Sequence, residues 1–462
     1  MTRNETESTD LIIVGSGPAG IAAGVEATRR NLRVLLLDEN AAAGGRAWQA
    51  IEARGASDAE EDEGLALIRE LIASDARIRH EAEVWCIEPH GAGPGGTVFW
   101  NENGTARSAR ASRVLLATGT TERPMPVPGW TLPGVMTVGA AQIALKTAAL
   151  LPDGNTWIAG QGPLIWLYAV QVLRAGGKLG GILDLSDTAA RWRALARVRR
   201  SVMPDLRKGL TWIDEIERMG VTLLRATGPR AEGRGELTRI AFAVKGKQQT
   251  EACDLLLLHD GVIPSIQITR ALGCEHVWHE RQRYWRPVTD AWGETSVPGI
   301  HAAGDGAGIG GAAAAVLSGQ IAALGCAHAL GRVDTATRDR DAGPLRAAWA
   351  KALASRPFLD ALYAPRAFAP DDDTVICRCE EVSAGQIREA SARGCQGMNQ
   401  LKAFTRCGMG PCQGRMCGTT AAEVLAHANK VHARAIEPLH TRFPARPLSV
   451  GQLAELKAGT AS

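Results

Sequence analysis

Residues 10–20 read DLIIVGSGPAG. Leu11–Val14 is an unbroken apolar run, the pattern of a strand buried on both faces of a parallel sheet. Gly15, Gly17 and Gly20 complete G-x-G-x-x-G, with Pro18 and Ala19 opening a helix of small residues. The first glycine permits a tight turn, the second lets a pyrophosphate approach the backbone, and the third lets helix and strand pack closely. The helix N-terminus offers unpaired N–H groups and the positive end of a dipole to phosphates. LRVLLLDEN supplies the next strand, ending at Asp38 where a ribose-binding acid is expected, with Glu39 beside it as an alternative. The order strand, glycines, helix, strand, acid predicts a dinucleotide-binding unit in an α/β fold.

Outward from this unit, Gly44, Gly45 and Arg46 predict a turn whose backbone comes close to the nucleotide. The acidic run 58–63 reads as a solvated helix start. Val114–Ala117 reads as a buried strand, Thr118 and Gly119 as its turn, and the Pro-rich segment beyond as the exit from the first lobe. Trp157–Leu185 repeats the opening design, with Gly160-x-Gly162 and a strand ending at Asp184. Ile165 stands at the third-glycine position, where a β-branched side chain hinders close packing, so NAD(P), ATP or no nucleotide are all compatible with this repeat. Arg191–Gly209 is strongly basic and reads either as a solvated helix face or as a docking surface. A strand containing His301, read as a packed core residue, leads into Gly304, Asp305 and a long small-residue helix. An acid there is placed to hydrogen-bond a ribityl or phosphate group.

Length and composition narrow the classes. The 462 residues suggest about three domains. The net charge of +3 is too small to argue for nucleic acid. The opening MTRNETESTD lacks the apolar region of a secretory signal, and the apolar segment Leu164–Val170 is too short to span a membrane. A cytoplasmic protein is expected, with peripheral membrane attachment through a partner left open.

Six of the ten cysteines fall between Cys377 and Cys417. Cys377-x-Cys379 is followed, after 32 residues, by Cys412-x4-Cys417. Such spacing suits a small iron–sulfur cluster. Gly408, Gly410 and Gly414 would free backbone N–H groups to bond its sulfurs. Structural zinc is the competing reading, although it commonly uses C-x2–4-C knuckles. Cys407 is close enough to be an alternative ligand, and Cys395 has no assigned role.

These motifs, with ATGTTERPMPVPG, AGDGAGIGGAAAA and CRCEEV…TRCGMGPCQGRMC, resemble the larger flavoprotein (A or α) subunits of hetero-oligomeric opine and amino-acid dehydrogenases. The group includes the A subunits of octopine and nopaline oxidase, the B subunit of hydrogen cyanide synthase and the α subunit of D-hydroxyproline dehydrogenase. The resemblance implies an α/β fold with two nested Rossmann-like dinucleotide-binding domains of pyridine-nucleotide-disulfide-oxidoreductase type. A small, mostly helical C-terminal [2Fe–2S] domain, similar to bacterioferritin-associated ferredoxin, would follow. Cys377, Cys379, Cys412 and Cys417 match the cluster ligands, and Cys407 falls where that pattern needs no cysteine. Gly15, Gly17, Gly20, Asp38, Gly45, Arg46, Thr118, Gly119 and Asp305 match FAD-contacting positions, with Pro18, Ala19, Glu39 and Gly304 beside them. The expected segments are 1–150 and 266–340 for FAD, 151–265 for the second module, 341–373 as a linker around a short helix, 374–430 for the cluster and 431–462 as a tail packed on a partner or the body. The resemblance further implies a β subunit like D-amino-acid oxidases that oxidises the substrate. It also allows an FMN at the subunit interface and a small third [2Fe–2S] subunit. The alternative is a self-sufficient NAD(P)H-dependent reductase. Because the modules are separate in sequence, Cys412→Ser is expected to remove a cluster and leave FAD bound.

Overall fold

The computed structural model describes residues 7–91, 93–365 and 369–455, so the last part of the predicted tail, 456–462, lies outside the described residues. The strand Glu7–Val14 pairs in parallel with Val34–Leu37 on one side and Thr105–Leu116 on the other. Arg77–Arg79 extends this sheet at the Val34–Leu37 edge, and an antiparallel hairpin, Ala82–Pro89 with Gly96–Glu102, extends it beyond Thr105–Leu116. Ile300–Ala302 returns from far along the chain to pair in parallel with Val114–Leu116, so the first lobe is closed by a late segment.

Helix Pro18–Arg29 covers this sheet and packs on helix Ala312–Ala329. Their small residues allow the backbones to approach. A Cβ on Gly319 would stand 2.1 Å from the Ala19 carbonyl oxygen. Ala312–Ala329 is, among the described residues, the one helix long and apolar enough to cross a membrane, and 56% of it is buried inside the protein.

The second lobe is a five-stranded parallel sheet in the order Thr222–Arg225, Gly181–Asp184, Thr156–Gln161, Leu255–Asp260, Val135–Thr137. It keeps the strand–turn–helix plan at Gly160 and Gly162 with Ile165 fully buried among helix and sheet residues. The β-branched side chain is taken into the core without loss of the fold. A three-stranded antiparallel sheet, Thr227–Ala252, caps this lobe.

The stretch expected as a linker around a short helix is more ordered than that. It holds most of the 18-residue helix Thr335–Ala352 and the helix Arg356–Leu362. Asp334 caps the first by accepting from the Thr337 N–H at 2.7 Å, and Phe358 and Ala361 bury the second against Ala194 and Val202. The acidic run at 58–63 opens a helix as expected, with Asp58, Glu60, Asp62 and Glu63 exposed. Asp58 caps helix Ala59–Ile72, but Glu61 turns inward to Arg54, Ser57 and Lys146.

The C-terminal module is a short hairpin, Val375–Ser383, and three helices, Ala384–Ala392, Met398–Thr405 and Gly418–Ala428, with their own buried core. It is fastened to both lobes. Trp130 Nε1 donates to the Val375 carbonyl at 2.7 Å, and Glu423 accepts from Arg283 at 2.9 Å with Arg123 at 3.7 Å.

Candidate dinucleotide cavity and thiol cluster

A cavity of about 510 Å³ opens above the glycine turn. Gly15, Gly17, Pro18, Ala19, Asp38, Glu39, Gly45, Arg46, Thr118, Gly119, Gly304 and Asp305 all line it. Gly20 does not. A Cβ there would stand 1.8 Å from the Gly15 carbonyl oxygen, so this glycine acts by letting the helix sit on the turn. Gly17 faces the open side, where a Cβ would meet nothing nearer than Gly45 Cα at 4.0 Å. Gly45, at φ +55°, lies across from it, and the two glycines leave bare backbone where a pyrophosphate would rest.

Two acids shape the walls. Asp38 accepts from both the N–H and, at 2.7 Å, the hydroxyl of Ser16, and its other oxygen accepts from the Asn40 N–H and amide at 2.7 Å. This carboxylate ties the glycine turn to the end of the second strand. Asp305 accepts from the Gly310 and Gly311 N–H groups at 2.8 and 3.0 Å, holding the loop ahead of helix Ala312–Ala329.

Five cysteines converge beside the cavity. The sulfurs of Cys377, Cys407 and Cys417 lie within 4.8 Å of one another, all buried, with Cys407 and Cys417 at 3.9 Å. Hydrogen bonds from the Cys407 and Cys417 thiols hold the Cys377 sulfur as a thiolate, down to about 2, and the Gly408 N–H also donates to it. Sharing with Cys377 pushes the Cys407 thiol up to about 12 and that of Cys417 upward as well. Cys379, the most exposed of the five, hydrogen-bonds Cys412 through that residue's backbone N–H and its sulfur. Gly410 has no room for a side chain, since a Cβ would stand 2.2 Å from that of Cys379. Cys407, set aside on the family pattern, is inside the group. Its spacing leaves it open as an alternative ligand, and the folding of Cys407 back onto Cys377 places it there. Cys395 is buried and bonds the Gly397 carbonyl at 3.5 Å, on its own helix connection.

Several residues lining the cavity carry no sequence signal for that position. Cys412, Arg415 and Met416 of the cysteine module, and Ala445 and Arg446 of the tail, form part of its wall. A tail segment remote in sequence has no periodicity that would reveal such a contact.

In the second lobe the corresponding crevice is occupied by the chain. Gln161 Nε2 donates to Asp260 at 2.6 Å and approaches the Ala364 carbonyl at 3.3 Å. Asp184, where a ribose acid would stand, is paired with Arg191 and accepts from the Ser186 N–H at 2.9 Å. The His259 ring, held by Glu122 at 2.5 Å, sits 3.3 Å from where a Cβ on Gly162 would lie. Tyr363 is packed toward Trp166, and burial pushes its hydroxyl up to about 12.

Residues 9–322 match the pyridine nucleotide-disulphide oxidoreductase family, and residues 372–457 match the sarcosine oxidase A3 domain. The chain belongs to the pyridine nucleotide-disulphide oxidoreductase family, and it works as one component of a flavin oxidoreductase. It is 39% identical to the A subunit of opine oxidase from Agrobacterium tumefaciens, over 97% of this chain and 92% of that one. It is 32% identical to the HcnB subunit of hydrogen cyanide synthase from Pseudomonas aeruginosa, over 95% and 96%. Among solved structures, L-proline dehydrogenase from P. horikoshii superposes with a TM-score of 0.70 at 21% identity, covering 98% of this chain and 81% of that one. Thioredoxin reductase from T. acidophilum covers 70% of this chain at a TM-score of 0.51 and 22% identity. That likeness is one of fold.

Proposed function

We propose that this chain is the FAD- and [2Fe–2S]-containing electron-relay subunit of a hetero-oligomeric dehydrogenase or oxidase of an opine or amino acid. The observation that carries this reading is the double position of Cys412, in the thiol group and in the wall of the dinucleotide cavity. The bare backbone at Gly17 and Gly45 fits a pyrophosphate. The buried Cys377, Cys407 and Cys417, with the pair Cys379 and Cys412 beside them, fit an iron–sulfur cluster, for which Cys377, Cys379, Cys412 and Cys417 are the proposed ligands. When bound, FAD and cluster would supply the redox chemistry, and the chain would hold the cluster against the wall of the nucleotide cavity. Gly408 would donate its N–H to a cluster sulfur as it does to the Cys377 thiolate, a contact that tunes potential.

The relatives named as subunits of opine oxidase and hydrogen cyanide synthase support a partner chain. In this reading the partner resembles D-amino-acid oxidases and oxidises the substrate, and electrons leave to a quinone-like or other acceptor. An FMN at the interface and a small third iron–sulfur protein belong to the same reading. So does a cytoplasmic location with peripheral membrane attachment through the complex. The filled crevice of the second lobe speaks against a nicotinamide donor there.

The test is anaerobic mixing of the purified chain with NADH, followed by flavin absorbance, then repetition with the partner chain and opines or amino acids. The flavin should stay oxidised with NADH and bleach with substrate once the partner is added. Prompt bleaching by NADH alone would establish the self-sufficient reductase instead.

A further inference from the structure

We propose that the loop Cys412–Met416 and the tail segment Phe443–Arg446 together form the wall of the nucleotide's adenosine end, so that nucleotide and iron binding are thermodynamically coupled. The inference rests on the reading of the cavity as a FAD site and of the cysteines as iron ligands.

The glycine turn fixes where the pyrophosphate lies, and the acids at the end of the second strand mark the adenosine half. The cysteine module meets the cavity at that half. Arg446 is paired with Glu39 and has its Nε 3.3 Å from Glu83, next to the cavity-lining Ala82 and Val84. Ala445 lays its N–H on the Trp85 carbonyl at 2.7 Å, attaching the tail to the strand Ala82–Pro89. Arg415, between Cys412 and Cys417 in sequence, donates to the Ala445 carbonyl at 2.8 Å, and Gln413 donates to the Pro444 carbonyl at 3.0 Å. A polar chain therefore runs from the cysteine loop through the tail to the ribose end.

Two anchored cysteines, Cys412 and Cys417, bracket a four-residue loop that carries two of these donors. Iron binding to them fixes the loop, and a loop already fixed costs a nucleotide less ordering entropy. By linkage the nucleotide must then tighten iron binding by the same factor. In this proposal Cys412→Ser leaves FAD bound but with lower affinity. The modules are separate in sequence but share a wall.

The experiment measures FAD affinity of the full chain by equilibrium dialysis, iron-loaded and after chelator stripping, for wild type, Arg446→Ala and Arg446→Lys. Stripping should weaken FAD binding about tenfold in wild type, within the usual range of such couplings. Arg446→Ala should bind FAD more weakly and show little further effect of stripping, and Arg446→Lys should recover part of the coupling. Saturating FAD, and AMP as an adenosine-end probe, should slow iron loss to the chelator. Equal FAD affinity before and after stripping in wild type overturns the coupling alone, and needs no variant that might misfold. Failure of the iron-loaded chain to bind FAD, or absence of iron from it, overturns the proposed cofactors together with the coupling.

Discussion

The side-chain amide of Gln161 donates to the Asp260 carboxylate at 2.6 Å across the mouth of the second lobe. Gln161 follows the first glycine of the degenerate turn, and Asp260 ends the neighbouring strand. The two side chains close on each other where a second nucleotide would enter. Burial pushes the Asp260 carboxyl upward in pKa, so its hydrogen-bond partner matters. Gln161→Leu should destabilise the chain by about 1–3 kcal/mol, the cost of orphaning a buried polar group. Urea unfolding would measure it, and an unmoved midpoint would mean that Asp260 is satisfied elsewhere.

The two glycines of the opening turn should respond differently to substitution. Gly17→Val puts its side chain into the cavity with little contact to the protein, so the fold should persist while FAD is lost. Gly20→Ala drives a methyl into the Gly15 carbonyl oxygen and should lower stability before it affects binding in any folded remainder. Thermal melts paired with flavin content separate these outcomes. Equal Tm losses in both variants would contradict the assignment of separate tasks.

Glu61 predicts an acid-sensitive contribution to stability. Against the raising effect of burial, hydrogen bonds from Arg54 and Ser57 bring its carboxyl down from 4.5 to about 2. A depressed folded-state pKa gives stability that is complete above the unfolded value of 4.5 and is lost as pH falls toward about 2. The full effect is at most about 3 kcal/mol. Glu61→Gln should therefore be less stable than wild type at neutral pH, with the gap closing between those two values. Denaturant melts across that range would show a constant gap if Glu61 were ionised equally easily in both states. The pair also steadies the cavity wall, since Lys146 lies 3.6 Å from Glu61 and donates to the Ala47 carbonyl at 2.7 Å, next to Arg46.

Among the cysteines, Cys377 touches Cys407 and Cys417 by hydrogen bonds and lies close enough to Cys379 for their charges to interact. Cys377→Ser should abolish iron binding. Cys407→Ser should retain it, because Cys377, Cys379, Cys412 and Cys417 still supply a complete set of four thiolates. Iron analysis and visible absorbance decide this. Loss of iron in Cys407→Ser with retention in Cys379→Ser would move the ligand set to the buried group.

Much of the first lobe is legible because its signals are local. Leu11–Val14, the three glycines and the acid after Leu37 are separated by the short intervals of one strand–helix–strand unit, and backbone geometry alone demands those residue types. The same locality makes Cys377-x-Cys379 and Cys412-x4-Cys417 readable as a candidate metal site. Local pattern read the acidic run at 58–63 as a solvated helix start, which holds for four of its five acids. Glu61 turns inward because it finds a guanidinium partner in Arg54. Local pattern also read 341–373 as a linker around one short helix and missed the extent of helix there, since Ala- and Asp-rich composition does not reveal helices that gain their stability by packing.

The sequence by itself determined the two Rossmann-like units, the glycine cradle and a thiol-rich module, since each is written within a short stretch of chain. Tertiary structure alone decided that Cys407 joins the thiols, that Gln161 and Asp260 close the second crevice, and that Arg446 stands at Glu39, 407 positions away. These are contacts between surfaces brought together by packing, and no spacing along the chain encodes them.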